Sequence, residues 1–257
     1  MKVLAIMGSP KGRGSGYRVV QQIEGKMKEI GDVEFEYLFL KDADLKLCKG
    51  CFVCISRGED LCPLKDDRVE IEEKISNSDG VILSSPGYVQ NVSWLMKNFI
   101  DRFAYTNHRP RFFSQKVMLV ANGGSGLDKT LESLKVTFGG PEVVYELDAY
   151  TPAWPLTLKA ENKKRKKIED ASRKFYNSIS TAELGSPSLS EYMRFRFFKD
   201  MLNPSMEKYL PADYEFYKDK EDYFYDVEIS ALKKAIASIM VKLVFFMMRD
   251  IGPGDEK

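Results

Sequence analysis

Five short apolar runs constrain this chain more than any other feature. They are "KVLAIM", "VEFEYLFL", "GVILSSP", "QKVMLVAN" and "EVVYELDAY", all within the first 150 residues. The first four are each followed by a stretch with helical spacing, from about Gly16 to Ile30, Asp67 to Ser78, Ser93 to Tyr105 and Leu127 to Gly139. The central runs are continuous rather than alternating, as expected for strands covered on both faces. Strands separated by helices predict a parallel α/β sheet. Ligands of such sheets bind outside the carboxyl ends of the strands, where strand order reverses.

Three of those carboxyl-end loops have unusual composition: "GSPKGRGSGY" after the first run, "SPGYVQNVS" after the third and "NGGSG" after the fourth. The first joins a strand directly to a helix. Ser9, Ser15 and Gly16 with the cations Lys11 and Arg13 therefore meet the partial positive charge and free N–H groups of a helix N-terminus, which favour a phosphate. It lacks the Gly-Lys-Ser/Thr of a Walker loop, and its glycines run G-x-G-x-G, not as the dinucleotide fingerprint. A monoester phosphate fits; the plain alternative is a flexible glycine-rich turn. In the second loop Pro86 and Gly87 shape a turn, while Tyr88, Val89, Gln90 and Asn91 offer an aromatic face and amides to a flat heterocycle. In the third, Asn122, Gly123, Gly124, Ser125 and Gly126 let the backbone approach a ligand closely.

On these residues, Gly8-Ser9-Pro10 with Arg13 and Ser15, then "SSPGYVQNVSWLMKNFIDR", then "NGGSG", the chain resembles the flavodoxin-like NAD(P)H-dependent FMN reductases, including the iron-sulfur flavoprotein branch. The resemblance covers about residues 1 to 150. It implies a flavodoxin-like, doubly wound five-stranded parallel sheet in the order 2-1-3-4-5, with FMN at the switch point between the first and third strands. It further implies that Ser9, Arg13, Ser15, Gly16 and Tyr17 cradle the FMN phosphate, that Pro86 through Asn91 line the isoalloxazine, and that Asn122 through Gly126 close the site. The pair Lys11-Gly12 departs from the commonest family pattern and makes the loop more basic and looser.

All four cysteines lie in one run, Cys48, Cys51, Cys54 and Cys62, spaced C-x2-C-x2-C-x7-C-P. Four thiolates so close together can reach one [4Fe-4S] cluster, and the iron-sulfur flavoproteins carry a similar run after the second strand. Other readings stay open: zinc, a reversible dithiol at Cys51 and Cys54, or cysteines packed as small hydrophobes. The single histidine, His108, excludes sites that need two or three, and beside Arg109 and Arg111 it reads as an exposed loop residue or a contact to a pyridine nucleotide phosphate. Asp66 and Asp67 read as the cap and first turn of the next helix.

Past residue 150 the pattern changes. "TPAWPLTL" interrupts the alternation, and a basic helix follows in which Lys163 to Lys167 are five consecutive cations; with acids flanking them it reads as a solvated face. The expected organisation is an FMN-binding domain over 1–150 and a helical extension over 151–257, rich in aromatics, acting as lid or subunit interface. In its last helix, about Ile229 to Arg249, Lys234, Ser238 and Lys242 form a narrow polar stripe on an otherwise apolar cylinder, which predicts burial against the core or a second subunit. Its longest charge-free run, Ala235 to Val241, has seven residues against the roughly 18 a membrane span requires.

With 39 Lys and Arg against 38 Asp and Glu, the net charge of +1 leaves no global field to gather nucleic acid. Met1 leads straight into a strand pattern with no readable signal peptide, so a cytoplasmic location is expected. The expected activity is that of an FMN-dependent oxidoreductase, taking a hydride from NAD(P)H and passing electrons to a small acceptor such as a quinone, in a homo-oligomer. The alternatives are an electron-transfer protein working with a ferredoxin-like partner through a cluster, and a flavin-binding sensor without turnover.

Overall fold

A computed structural model describes residues 1–181 and 183–249. In chain order the elements are β1 (Lys2–Met7), α1 (Ser15–Ile30), β2 (Glu34–Phe39), α2 (Val53–Ser56), α3 (Arg68–Ser76), β3 (Gly80–Pro86), α4 (Trp94–Arg102), α5 (Tyr105–His108), β4 (Lys116–Gly123), α6 (Leu127–Lys135), β5 (Glu142–Tyr150), α7 (Leu158–Thr181), α8 (Leu189–Met201), α9 (Pro211–Tyr217) and α10 (Ala231–Met247). Contacts divide the chain into two compact units. One comprises Met1–Cys51 with Cys62–Glu183; the other comprises Phe52–Leu61 with the chain from Leu184 onward.

The first unit is built on a five-stranded parallel sheet in the order β2-β1-β3-β4-β5, as the resemblance implied. β3 is buried throughout and β1 almost so, which accounts for their continuous apolar runs; the edge strands β2 and β5 keep exposed positions. α1 turns Val19, Val20, Ile23 and Met27 inward, and α7 turns Ile168, Ala171, Phe175 and Ile179 inward, so the two helices and one sheet face close a single core. α7 thus belongs to the sheet unit. The contacts divide the chain at Glu183 and not at the expected 150, because beyond its basic run α7 turns Ile168, Ala171, Phe175 and Ile179 onto the sheet.

In the second unit the aromatics make a core of their own: Tyr192, Phe195 and Tyr217 are buried, and Tyr223 and Phe224 meet the Phe195 ring edge-on at 5.4 and 5.0 Å. α8 opens on a capping box between Ser188 and Glu191. α10 turns only Ala237 and Val241 inward and exposes Leu232, Ile236, Ile239, Leu243 and Phe246, while Lys234 of the expected polar stripe pairs with Asp222 at 2.9 Å. Of the two coverings expected for this apolar face, packing within the chain leaves these residues uncovered. No described helix is long and apolar enough to cross a membrane; residues 250–257 of the expected extension lie outside the described residues.

Candidate functional site

The loops after β1, β3 and β4 meet at the carboxyl edge of the sheet. The first is tied back on itself, with Gly12 N donating to Ser9 O at 3.0 Å and Lys11 N to Ser9 Oγ at 3.3 Å. It ends at Gly14, the N-cap of α1, which receives no side-chain cap; Ser15, Gly16 and Tyr17 thus begin a helix whose first N–H groups remain for another acceptor. Ser9 is buried, Lys11 and Arg13 are exposed, and the Arg13 guanidinium lies 5.8 Å from the Tyr17 ring centroid. Tyr17 in turn packs on Tyr37 and Phe39.

Gly16 is the point of contact with the loop after β4. A Cβ there would stand 2.5 Å from Asn122 Oδ1, so only glycine lets the Asn122 amide lie against the first turn of α1. Asn122 is 7% exposed; its Nδ2 reaches Thr151 Oγ1 at 3.5 Å, but its buried Oδ1 has no hydrogen-bond partner among the described residues. A buried acceptor left without a donor is costly unless a ligand supplies one. Beside Ser15 a cleft of about 260 Å³ opens between α1 and the segment after β5, with Arg18, Thr151, Trp154 and Lys164 in its wall.

The loop after β3 is a tight hairpin turn. Tyr88 N donates to Asn91 O at 2.9 Å and Asn91 N to Tyr88 O at 3.0 Å, and Val89 and Gln90 between them both sit at positive φ, 50° and 59°. This left-handed pair is the geometry of a type I′ turn, which Asn-Gly adopts readily and a β-branched valine does not. Val89 is 99% exposed at its tip. Gly87 N holds Asn122 O at 2.9 Å, and a Cβ on Gly126 would stand 2.7 Å from Gln90 Cγ, so the second and third loops are packed on each other. Gly124 and Ser125 are exposed, and Asn91 Oδ1 already accepts from Val92 N and Ser133 Oγ. Ser93, the N-cap of α4, accepts from Met96 N and donates to Gly8 O, fastening that helix to the first loop.

The cysteine run falls across the division of the chain: Cys48, Cys51 and Cys62 belong to the sheet unit and Cys54 to the other. None of the four forms a disulfide among the described residues, and Cys48 and Cys51 are exposed. Among the described residues no three Cys, His, Asp or Glu side chains are grouped so as to hold a metal ion, so the sulfurs are not gathered in this conformation. In its chemistry the donor set does suit an iron-sulfur cluster: four thiols, with Gly50 N donating to Cys48 Sγ at 3.5 Å. Phe52, just past Cys51, is 67% exposed and held at φ 58°, a strained position for a residue with a large side chain.

Two residues of α4 that sequence inspection passed over hold the ends of this run. Asn98 Oδ1 accepts from Cys48 N at 2.9 Å, while its Nδ2 donates to Leu45 O and Lys46 O. Arg102 donates to Lys46 O at 2.8 Å, grips both carboxylate oxygens of Asp66, and brings Nη2 to 4.0 Å from Cys62 Sγ. Asp66 is thus the partner of a buried arginine and not a simple helix cap; burial draws its carboxyl upward, but Arg102 and the N–H groups of Lys46 and Arg68 outweigh this and hold it below the usual range. Asp67 occupies the N-cap position without capping through its side chain, accepting from Asp44 N instead. His108 is half-buried and Arg109 buried; Arg111 donates to Glu72, which also accepts from Arg68 and Tyr105. Burial together with Glu72 drives the Tyr105 hydroxyl far above its normal pKa. Arg111 is engaged in that cluster rather than offered to a nucleotide.

Comparison with known proteins bears on these loops. The model of the NADPH-dependent FMN reductase family matches residues 1–151. An iron-sulfur flavoprotein of Archaeoglobus fulgidus is 36% identical over 110 residues, 43% of this chain and 49% of that protein. Iron-sulfur flavoprotein MJ1083 of Methanocaldococcus jannaschii is 39% identical over 102 residues, 40% of this chain and 51% of that one. Iron-sulfur flavoprotein CD630_04720 of Clostridioides difficile is 30% identical over 224 residues, 85% of this chain and 95% of that protein. The match thus spans about half the length of the two archaeal relatives and nearly all of the clostridial one. Among solved structures, a flavone reductase superposes with a TM-score of 0.53 at 18% identity, covering 70% of this chain and 63% of its own. RosB, solved with 8-demethyl-8-formylriboflavin-5'-phosphate, does so with 0.50 at 14% identity, covering 90% and 92%. At such identities the superpositions speak for the fold. The family model over the sheet unit and the near full-length match to the clostridial protein establish that this chain belongs to the NADPH-dependent FMN reductase family, beside the proteins named iron-sulfur flavoprotein.

Proposed function

We propose that the protein is an NAD(P)H-dependent FMN oxidoreductase that passes electrons from the reduced flavin to a small acceptor such as a quinone. The observation that carries this reading is the buried, partnerless Asn122 Oδ1 against the uncapped first turn of α1. Free N–H groups call for an anion, and the acceptor beside them calls for an O–H or N–H donor; a phosphorylated polyol such as the ribityl phosphate of FMN offers both. Ser9, Ser15, Gly16 and Tyr17 with Arg13 would hold the phosphate, and Lys11 would add charge from solvent. Pro86 through Gln90 would lie along the ring, with Asn91 bracing the turn, and Asn122 through Gly126 would close the site. When bound, FMN supplies hydride and electron transfer at its N5. The protein's part is to orient the ring and leave one face open to nicotinamide, then acceptor.

Steady-state oxidation of NADPH and NADH by the FMN-loaded protein tests this reading. We expect turnover that rises when a quinone is added; FMN bound tightly with no NAD(P)H oxidation under any acceptor would point instead to the flavin-binding sensor.

A second reading is favoured by the cysteine run and by the names of the relatives. Cys48, Cys51, Cys54 and Cys62 would ligate a [4Fe-4S] cluster, making the protein an electron carrier between FMN and a ferredoxin-like partner in the cytoplasm. We also propose self-association through α10. Its exposed residues Leu232, Ile236, Ile239, Leu243 and Phe246 recur at intervals of four, three, four and three, the spacing of a helix-pairing seam.

A further inference from the structure

We propose that Asn98 and Arg102 are positioning residues for the cysteine run, fixing the spacing of its outer thiols, Cys48 and Cys62, from one face of α4. This rests on the reading of the run as a cluster site. Asn98 and Arg102 are one helical turn apart, so their side chains project from the same face. They are 8% and 3% exposed, and among the described residues their side-chain bonds reach the two ends of the run: the backbone at Leu45, Lys46 and Cys48 on one side, Asp66 and the Cys62 sulfur on the other. The run between these ends is 13 residues long, enough to wander unless its ends are held. α4 is itself capped by Ser93, which is tied to Gly8 of the first glycine-rich loop. One rigid helix therefore sets the outer cysteines relative to the proposed flavin loops. Groups that orient ligands from behind commonly contribute about ten- to a hundredfold in metal affinity.

The test is anaerobic reconstitution with ferrous iron and sulfide, reading iron retained per chain after chelator challenge and the visible spectrum of the product. The proteins compared are the wild type, Asn98→Asp, Arg102→Met, Arg102→Lys and Ile168→Val. Asn98→Asp keeps the shape and the acceptor for Cys48 N but loses both Nδ2 donors. Arg102→Lys keeps the charge but cannot span Lys46, Asp66 and Cys62 together. Asn98→Asp and Arg102→Met should lower retained iron about ten- to a hundredfold, with Arg102→Lys in between and bound FMN unchanged. Ile168→Val, a core change in α7, should lower the melting temperature yet keep its iron, which separates positioning from general stability. Iron held as tightly by Asn98→Asp and Arg102→Met as by the wild type would overturn the proposal while leaving the cluster reading in place. A wild type that takes up no iron would overturn the cluster reading and this proposal with it. Should Arg102→Met not fold, Asn98→Asp, a change of one atom, decides alone.

Discussion

Gly16 is the point where the first and third loops of the proposed site touch. A Cβ there would meet Asn122 Oδ1 at 2.5 Å, so Gly16→Ala should force the Asn122 amide away from α1. Overpacking of this kind costs about 1–3 kcal/mol, and we expect FMN retention to fall with it, measured by flavin released on gel filtration. Arg13→Ala should weaken FMN binding by about 1.5–3 kcal/mol, the range for a hydrogen bond to a charged group, in a fluorescence titration. Asp66 makes a different kind of prediction. Its folded-state pKa is lowered, so its pairing with Arg102 stabilises the protein above the pKa of the unfolded chain, about 4, and that contribution is lost as pH falls through the lower folded value. Asp66→Asn should destabilise at neutral pH by about 3–5 kcal/mol, since it leaves Arg102 buried and unpaired, and should flatten the acid limb of a urea-stability profile. Little of this pairing was legible beforehand. Glycine and serine at high density announce a loop that faces something, but Asn98 and Arg102 follow Lys97 and Asp101 in "SWLMKNFIDRFAY" like ordinary surface residues of a helix, and nothing in that pattern says which partners a distant segment brings.

At the scale of elements, the strands were plain because buried parallel strands leave continuous apolar runs, and β3 and β5 occupy the segments read from the sequence. α7 was harder. The run Lys163 to Lys167 dominates its composition, while Ile168, Ala171, Phe175 and Ile179, which seal the sheet, are spread over three turns. The hairpin Tyr88–Asn91 was read as a loop but not as a type I′ turn, because Val89 and Gln90 are poor residues for it. A left-handed conformation costs a β-branched residue about 1–2 kcal/mol. Val89→Asn should therefore raise the melting temperature; if binding uses the valine tip, FMN affinity should drop at the same time. An unchanged melting temperature would mean that the strain at Val89 is relieved elsewhere.

Over the whole molecule, the sequence placed one division near residue 150, and the contacts place it at Glu183, with Phe52–Leu61 going to the second unit. A segment that leaves one unit for another and returns within ten residues has no compositional mark. The sequence marked α10 as an apolar helix for the core or a second subunit, but which of its residues the chain itself leaves uncovered needed the packing. If that seam pairs two chains, Ile239→Glu with Leu243→Glu should convert a dimer to a monomer in sedimentation at micromolar concentration, and a wild type already monomeric there would refute the pairing. Three loops at the carboxyl edge of the sheet are proposed to hold a flavin by its phosphate, and a fluorescence titration of the apo-protein with FMN, riboflavin and FAD tests this. One FMN per chain is expected, with riboflavin and FAD each bound at least about tenfold more weakly, a difference of about 1.4 kcal/mol. Riboflavin bound as tightly as FMN would contradict it.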